Sequence, residues 1–245
     1  MRIALSGLLA TVLLAGLVPA VTIPAAAAAE AAPSRTATSG QVRLDGVDVG
    51  LRAGTRQVVT VNRTRGYHAR VTYWTKGKDG WTKRMRAFDG RIGYGGLVPG
   101  RQRHQGTGTT PLGTYLLPWA FGTHARRAGW DLGYRRIHRG DFWVEDNGSD
   151  FYNRYRNQRQ GGFRWWLPAS NDNSSERLTD FPTQYEYAVV TGFNHQQVRH
   201  RGAGIFLHVN GSGATAGCVS APRWFIRSLM ARLDPDRVPV IAIGR

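Results

Sequence analysis

Short runs of β-branched and aromatic residues, separated by glycine-rich turns, recur along the chain from residue 56 onward. Such residues favour the half-buried surface of a sheet, and glycine and Asp-Gly pairs favour tight turns between strands. Eight runs are predicted to be β-strands on this basis: 56–62, 69–74, 81–88, 114–117, 138–144, 185–191, 204–209 and 238–243. The sequence therefore predicts a mainly β fold, either a sandwich or a half-closed barrel.

One clear helix is predicted near the C-terminus, over residues 222–233. Its apolar residues fall on one face at helical spacing: Phe225, Ile226, Leu229, Met230 and Leu233. Pro222 suits the first turn of a helix, and Ser220 is the predicted N-cap. Because no other segment has this spacing as clearly, most of the core is expected to come from strands.

The first residues predict export. Arg2 precedes an almost wholly apolar run from Ile3 to Val21, and the alanines at 25–29 suit a signal peptidase. An uncleaved anchor is the alternative, because the run approaches the roughly 20 residues that span a membrane. The sequence thus predicts three segments: a leader at 1–33, a flexible segment at 34–50 and one folded domain at 51–245.

The chain is strongly basic, with 33 Lys and Arg against 16 Asp and Glu and a net charge of +17. Loss of Arg2 alone leaves +16, and loss of Arg2 with Glu30 leaves +17. Such a charge favours polyanionic partners. Behind an export signal these are expected to be anionic wall polymers and not a specific nucleic acid, with a merely solvated basic surface as the alternative. No later apolar run has membrane-spanning length, so we expect a secreted or wall-associated chain without an anchor.

The middle of the chain, residues 119–168, contains 12 aromatic residues and nine arginines without a regular period. It predicts a long loop-rich insertion. Two interpretations stand: the aromatic side chains pin the loops by packing, or the segment forms a lid or groove wall. Aromatic faces and guanidinium groups suit sugars, carboxylates and phosphates.

Cys218 is the only cysteine among 245 residues. It forms no intramolecular disulfide, so it is a buried inert thiol, a site of intermolecular pairing or a nucleophile. His208 lies ten residues earlier on a predicted strand and suits a general base. The positive end of the predicted helix is expected to lower the pKa of the thiol. The amides of Gly217 and Cys218 suit an oxyanion hole.

No metal or cofactor is expected. The remaining histidines lack the spacing of metal ligands, and a second cysteine is missing, so a zinc signature is absent from the sequence.

Two motifs resemble the YkuD-type catalytic domain of L,D-transpeptidases, exported cysteine enzymes that crosslink the stem peptides of peptidoglycan. They are the segment 208–219, which ends in TAGCV, and residues 106–115, GTGTTPLGTY. The resemblance runs loosely from Arg56 to the C-terminus and implies a β-sandwich. It implies Cys218 as the acylated nucleophile and His208 as the base. The same resemblance implies an oxyanion and substrate loop made of Asn210, Gly211, Thr215, Ala216 and Gly217.

The chain departs from the family motif (S/T)HGC(I/V)R at two positions. Ala216 stands in place of the histidine and Ser220 in place of the arginine, and the spacing from His208 to Cys218 is short. These departures leave only His208 as base and leave open how the substrate is held.

The resemblance implies an exported transpeptidase that acylates on a stem tetrapeptide and forms wall crosslinks. A carboxypeptidase or crosslink hydrolase with the same Cys/His site is the first alternative. The second is a non-catalytic module that binds wall polymer or extracellular nucleic acid through four arginines: Arg126, Arg127, Arg135 and Arg136.

Overall fold

The structure, a computed structural model, describes residues 38–245, and the predicted leader lies outside this range. The strands within it are β1 (Thr38–Leu44), β2 (Val47–Arg52), β3 (Gln57–Arg65), β4 (His68–Gly77), β5 (Gly80–Arg91), β6 (Leu97–Pro99), β7 (Thr110–Leu116), β8 (Trp119–Gly122), β9 (Gly133–Arg136), β10 (Asp141–Trp143), β11 (Tyr155–Asn157), β12 (Glu176–Arg177), β13 (Ala188–Val190), β14 (Phe206–Val209), β15 (Val219–Ala221) and β16 (Val240–Gly244). The helical elements are α1 (Arg223–Met230) and short 3-10 turns at Gly100–Gln102, Gln158–Gln160, Leu178–Asp180, Gln184–Glu186 and Pro235–Arg237. The prediction of a mainly β fold is confirmed.

Eleven of the described strands form one mixed sheet in the order β6-β7-β16-β3-β4-β5-β15-β14-β13-β8-β9. Two smaller sheets accompany it, the hairpin β1-β2 and the three strands β11-β10-β12. In the centre of the large sheet β15 pairs in parallel with β14, and His208 lies opposite Ser220. This pairing fixes how the segment before β15 lies beside β14.

Both faces of the large sheet are covered, as the consecutive buried residues of β14, β15 and β16 indicate. Alternate residues point to opposite faces of a strand. On one face Leu207 and Val219 join the main core with the apolar side of α1. On the other face Val240 packs against the β1-β2 hairpin, and Phe206 packs among aromatic residues from the middle of the chain.

The hairpin β1-β2 corrects the prediction of a flexible segment at 34–50, which is wrong for residues 38–50. Val47 and Val49 are fully or almost fully buried against the sheet. The Gly50 amide also donates to Thr114 Oγ1 at 2.9 Å. The composition of this segment suggested flexibility, because small and polar residues surround Val47 and Val49. The alternation of these valines with non-apolar neighbours is instead typical of a strand.

The predicted helix at 222–233 is shorter in the structure. Pro222 is the N-cap of α1, and Ser220 belongs to β15, so the prediction of Ser220 as N-cap is wrong. The Ser220 hydroxyl donates to Asn210 Oδ1 at 2.7 Å, which uses the group that would have capped the helix.

The middle segment is a packed region and not a bare loop, because it contains β8 to β11 and several buried aromatic side chains. Trp119 stacks on Trp143 with ring centroids 5.9 Å apart, and Arg135 lies over the Trp119 ring. Within the described residues, no helix is both long enough and apolar enough to cross a membrane.

Candidate active site

Cys218 and His208 lie on the same face of two hydrogen-bonded parallel strands. Cys218 directly precedes β15, and the register places His208 opposite Ser220. Side chains two residues apart share a face, so Cys218 points to the same side as Ser220. The thiol therefore lies beside Phe206, and His208 follows two residues further along β14. Both side chains line one cavity of about 740 Å³. Among the described residues, no hydrogen bond joins the thiol to the imidazole, and each has backbone partners instead.

The thiol is held by the backbone of the chain leading into β14. Its S–H group donates to the Gly204 carbonyl at 3.1 Å, and the Phe206 amide donates to Sγ at 3.3 Å. Burial, and then the neighbouring Glu176 carboxylate, raise the pKa of Cys218 well above its ordinary value. The expectation of a thiol activated by the helix is therefore wrong, since β15 separates Cys218 from the start of α1.

His208 is buried and its tautomer is fixed by the backbone. Nδ1 lies 2.8 Å from the Val209 carbonyl oxygen, and because a carbonyl only accepts, Nδ1 carries the proton. Nε2 is thereby left as an acceptor. Burial lowers the pKa of His208 to about 4, so the imidazole is neutral at physiological pH. The Tyr185 ring meets the imidazole edge to face at 5.5 Å.

The loop before the thiol is closed by two threonines. Thr215 Oγ1 donates to the Cys218 carbonyl at 2.6 Å and accepts from the Gly217 amide at 3.2 Å. Thr110, from the upstream glycine-rich motif, donates to the Gly217 carbonyl at 2.8 Å. The Gly217 amide thus already has an acceptor, whereas the Cys218 amide has none among residues 38–245.

Gly217 is required at its position for two reasons. Its φ of +131° lies in a region that L side chains rarely adopt. A Cβ there would also stand 2.8 Å from Arg103 Nη2 and 2.9 Å from the Thr109 carbonyl oxygen. The sequence TAGC therefore encodes a close approach between the loop and Arg103.

The structure brings some of the predicted loop residues to the cavity and leaves others outside its lining. Gly211, Thr215 and Ala216 line it with the thiol and the imidazole. Asn210 instead donates to the Asp89 carbonyl at 2.7 Å and accepts from Ser220. Asn210 therefore fixes the start of the loop and does not face the cavity.

The sequence analysis missed most residues of the cavity wall, among them Arg103, Glu145, Glu176 and Tyr185. They come from separate segments and share no local motif, so spacing gave no signal for them. Tyr185 donates a very short hydrogen bond to Glu176 Oε1. Burial raises the pKa of both glutamates, and the charge of Glu176 raises that of Glu145 further. The site thus combines a neutral thiol and imidazole with two desolvated carboxyl groups.

Within residues 38–245, no group of three or more His, Cys, Asp or Glu side chains is arranged to hold a metal ion. No family model matches the chain, and no curated protein or solved structure shows significant similarity to it. The resemblance to L,D-transpeptidases therefore stays a prediction that rests on the two sequence motifs.

Proposed function

We propose that the protein is an exported, wall-associated cysteine acyltransferase of the L,D-transpeptidase type, with peptidoglycan stem tetrapeptides as its substrate. One observation carries the proposal: the lone thiol and a neutral imidazole with Nε2 available line one cavity from the same face of adjacent strands. The cavity of about 740 Å³ beside the thiol favours a nucleophile over an inert core cysteine. The covering of both sheet faces supports a sandwich of the L,D-transpeptidase kind.

The proposed reaction starts from the neutral pair. The S–H bond turns from the Gly204 carbonyl toward His208 Nε2, which takes the proton as sulfur attacks the amide carbonyl between the diamino acid and D-alanine. The Cys218 amide donates to the developing oxyanion. The C–N bond then breaks, His208 returns the proton to the amine, and D-alanine leaves.

The second half-reaction resolves the thioester. A side-chain amine of a neighbouring stem attacks the acyl carbon, loses a proton to His208, and expels sulfur, which regains that proton. A new amide crosslink and the free thiol result. If water replaces the amine, the product is a tripeptide acid, and the same site is a hydrolase.

The non-catalytic alternative has less support, because its four arginines have local partners. Arg126 donates to the Trp130 carbonyl, and Arg136 donates to the Thr123 carbonyl. Arg127 and Arg135 lie over aromatic rings of the same region. Each arginine thus has a partner within its own region, although all four residues are exposed.

Intact-mass spectrometry tests the proposal. Wild-type protein and Cys218→Ala are each incubated with a carbapenem and with a stem tetrapeptide. A covalent adduct is expected on the wild type only. Equal adducts on both proteins, or none on either, would reject Cys218 as the nucleophile. The ratio of crosslinked dimer to tripeptide then separates transferase from hydrolase.

A further inference from the structure

A second cavity, of about 400 Å³, has a basic wall. It lies where the end of β4, the facing part of β5 and the segment between α1 and β16 meet. Four of its seven lining residues are basic and none is acidic, and it shares no residue with the cavity that holds the thiol. The lining residues are Tyr73, Thr75, Lys76, Gly77, Arg84, Arg232 and Arg237.

Three guanidinium groups of this wall gather around one buried hydroxyl. Burial raises the pKa of Tyr73, and the charges of Arg237, Arg232 and Arg84 act against that rise. The three cations are therefore close enough to the same hydroxyl group to act on it through space. Because like charges repel one another, gathering them has a cost that a bound anion would remove.

The cations are held in place by neutral acceptors. Arg84 Nε donates to Thr75 Oγ1 at 2.8 Å. Arg237 Nη2 donates to the Lys76 carbonyl at 3.3 Å. Among residues 38–245, no ion pair includes any of the four basic residues of the wall. Their charges are thus positioned without being neutralised by a carboxylate, which suits an anionic ligand.

The acidic residues nearest in the chain leave the cavity basic. Asp234 and Asp236 lie between Arg232 and Arg237 in sequence, but neither belongs to the lining. The Asp234 carboxylate instead accepts from the Asp236 amide at 2.9 Å. Asp79, in the turn after β4, is also outside the lining.

A neighbouring groove along α1 extends the basic surface. Arg232 belongs to both linings, so the groove and the cavity are continuous. The other residues of the groove are Arg223, Trp224, Arg227, Ser228 and Ala231. We call the cavity and the groove together the basic track. Its positive charge reaches beyond the size of one small anion, which favours a linear polymer with repeated negative charges.

The side chains of the basic track indicate the kind of polymer. Guanidinium groups match phosphate oxygens in a bidentate geometry. Proteins that bind single-stranded nucleic acid stack successive bases on several aromatic side chains. Within the described lining of the track only one aromatic side chain is exposed, that of Trp224. A phosphodiester polymer without bases therefore fits better than a nucleic acid.

We propose that the basic track binds a linear polyol phosphate polymer, with one phosphate group held between Arg84, Arg232 and Arg237. The α1 groove takes the phosphate groups that follow along the polymer. This binding goes beyond the proposed function and does not depend on it, because the track and the thiol cavity have no residue in common.

Fluorescence anisotropy with a labelled glycerol phosphate octamer tests the proposal. The salt concentration is about 0.1 M, where exposed charges are screened beyond about 10 Å. Arg84→Gln/Arg232→Gln is expected to bind the octamer about tenfold or more weakly than the wild type, since a hydrogen bond to a charged group is lost at each residue. No binding by the wild type would overturn the proposal.

The matched control is Arg63→Gln/Arg65→Gln. It removes the same charge from exposed residues at the other end of the β3-β4 pair, outside the basic track. Its affinity is expected to stay within about twofold of the wild type, because these charges are screened from the track. Equal losses in the two double variants would show that only the overall charge matters, and would overturn the proposal.

Lys76→Gln keeps the test decisive if Arg84→Gln/Arg232→Gln does not fold, which circular dichroism and thermal melting establish. The Lys76 side chain is exposed and donates to no residue in the described part of the chain, so its loss leaves the fold intact. We expect roughly threefold weaker binding of the octamer, the effect of one exposed charge. An unchanged affinity would count against the proposal.

Two further probes test the chemistry of the polymer. An octaglutamate is expected to bind less tightly than the glycerol phosphate octamer, and equal affinity would mean that phosphate is not recognised. Trp224→Ala is expected to leave binding of the glycerol phosphate octamer unchanged. Tighter binding of a thymidylate octamer, with a loss in Trp224→Ala, would overturn the choice of polymer and assign the track to single-stranded nucleic acid.

The outcome is separable from that of the proposed function. Carbapenem acylation of Cys218 should proceed at the same rate in the wild type and in Arg84→Gln/Arg232→Gln. Polymer binding without acylation would leave the basic track standing and reject the transpeptidase, and acylation without polymer binding would do the opposite.

Discussion

The two faces of strands β14 and β15 differ in what they bury. On one face Leu207 and Val219 pack in an apolar core with α1. On the other face His208 and Cys218 are also buried, but they line a cavity whose wall includes Arg103, Glu145 and Glu176. The first face contributes stability through area removed from water. The second combines polar and ionisable groups with open space, the features expected of a binding site.

The largest expected effect comes from the polar face. His208→Gln removes the proposed general base and keeps a buried polar side chain of similar reach. We expect the rate of Cys218 acylation to fall roughly 100-fold to 10,000-fold, the range typical for loss of a positioned base. Stopped-flow or timed intact-mass measurements of carbapenem acylation give the rate. A decrease of less than tenfold would mean that another group takes the thiol proton.

The matched change on the apolar face is Leu207→Ala. We expect the free energy of unfolding to fall by about 2–5 kcal/mol, because a fully buried leucine leaves a cavity against α1. Urea titration followed by fluorescence measures this loss. The acylation rate of the folded protein should stay within about threefold of the wild type; a loss comparable to that of His208→Gln would show that the two faces are coupled.

A third test uses pH. Because the pKa of His208 in the folded protein is about 4, below the ordinary 6.5, the unfolded chain binds the proton more readily. The stability associated with the neutral imidazole is present above pH 6.5 and is lost as pH falls toward 4, by up to roughly 3 kcal/mol. Unfolding free energies at pH 7, 5 and 4 should therefore fall more steeply for the wild type than for His208→Gln. Parallel curves would contradict the buried neutral state.

The smallest expected effect concerns the loop that joins the two faces. Gly217→Ala introduces strain at φ +131° and a contact with Arg103, and we expect a stability loss of about 1–3 kcal/mol together with slower acylation. Gly129→Ala is the control, since Gly129 also has a positive φ of +80° but has no atom within 4 Å of its Cβ position. It should lose about 1 kcal/mol and keep its acylation rate. Equal losses of stability in Gly217→Ala and Gly129→Ala would mean that backbone strain alone explains the effect, without the contact to Arg103.

The sequence was informative where local pattern determines structure. Strands β3, β4, β5 and β14 lie where alternation and turn residues predicted them, and the apolar face of α1 is the predicted one. Its start was misplaced because Ser220 belongs to β15, and its hydroxyl donates to Asn210, ten residues earlier. The residues that follow Ser220 do not reveal this competing partner.

The site could be predicted only in part. His208 and Cys218 are close in sequence, and their pairing follows from one parallel register. Glu145 and Arg103 reach the cavity through separate loops, so their meeting depends on the whole topology. The sequence predicted a lowered pKa for the Cys218 thiol, whereas the pKa is raised. The prediction relied on the nearby helix, but α1 begins only after β15, and the residues that bury the thiol come from other parts of the chain.

The two hydrogen bonds at Cys218 also bear on oxidation. The thiolate is the nucleophile that attacks peroxides and disulfides, and the rate of these reactions follows the thiolate population and its access to solvent. A thiol that donates to Gly204, accepts from Phe206 and has a raised pKa presents almost no thiolate at rest. The low thiolate population and the burial of the sulfur therefore slow both sulfenic acid formation and mixed-disulfide formation. If the protein is exported, as proposed, its single cysteine needs no reducing partner to stay reduced in an oxidising compartment.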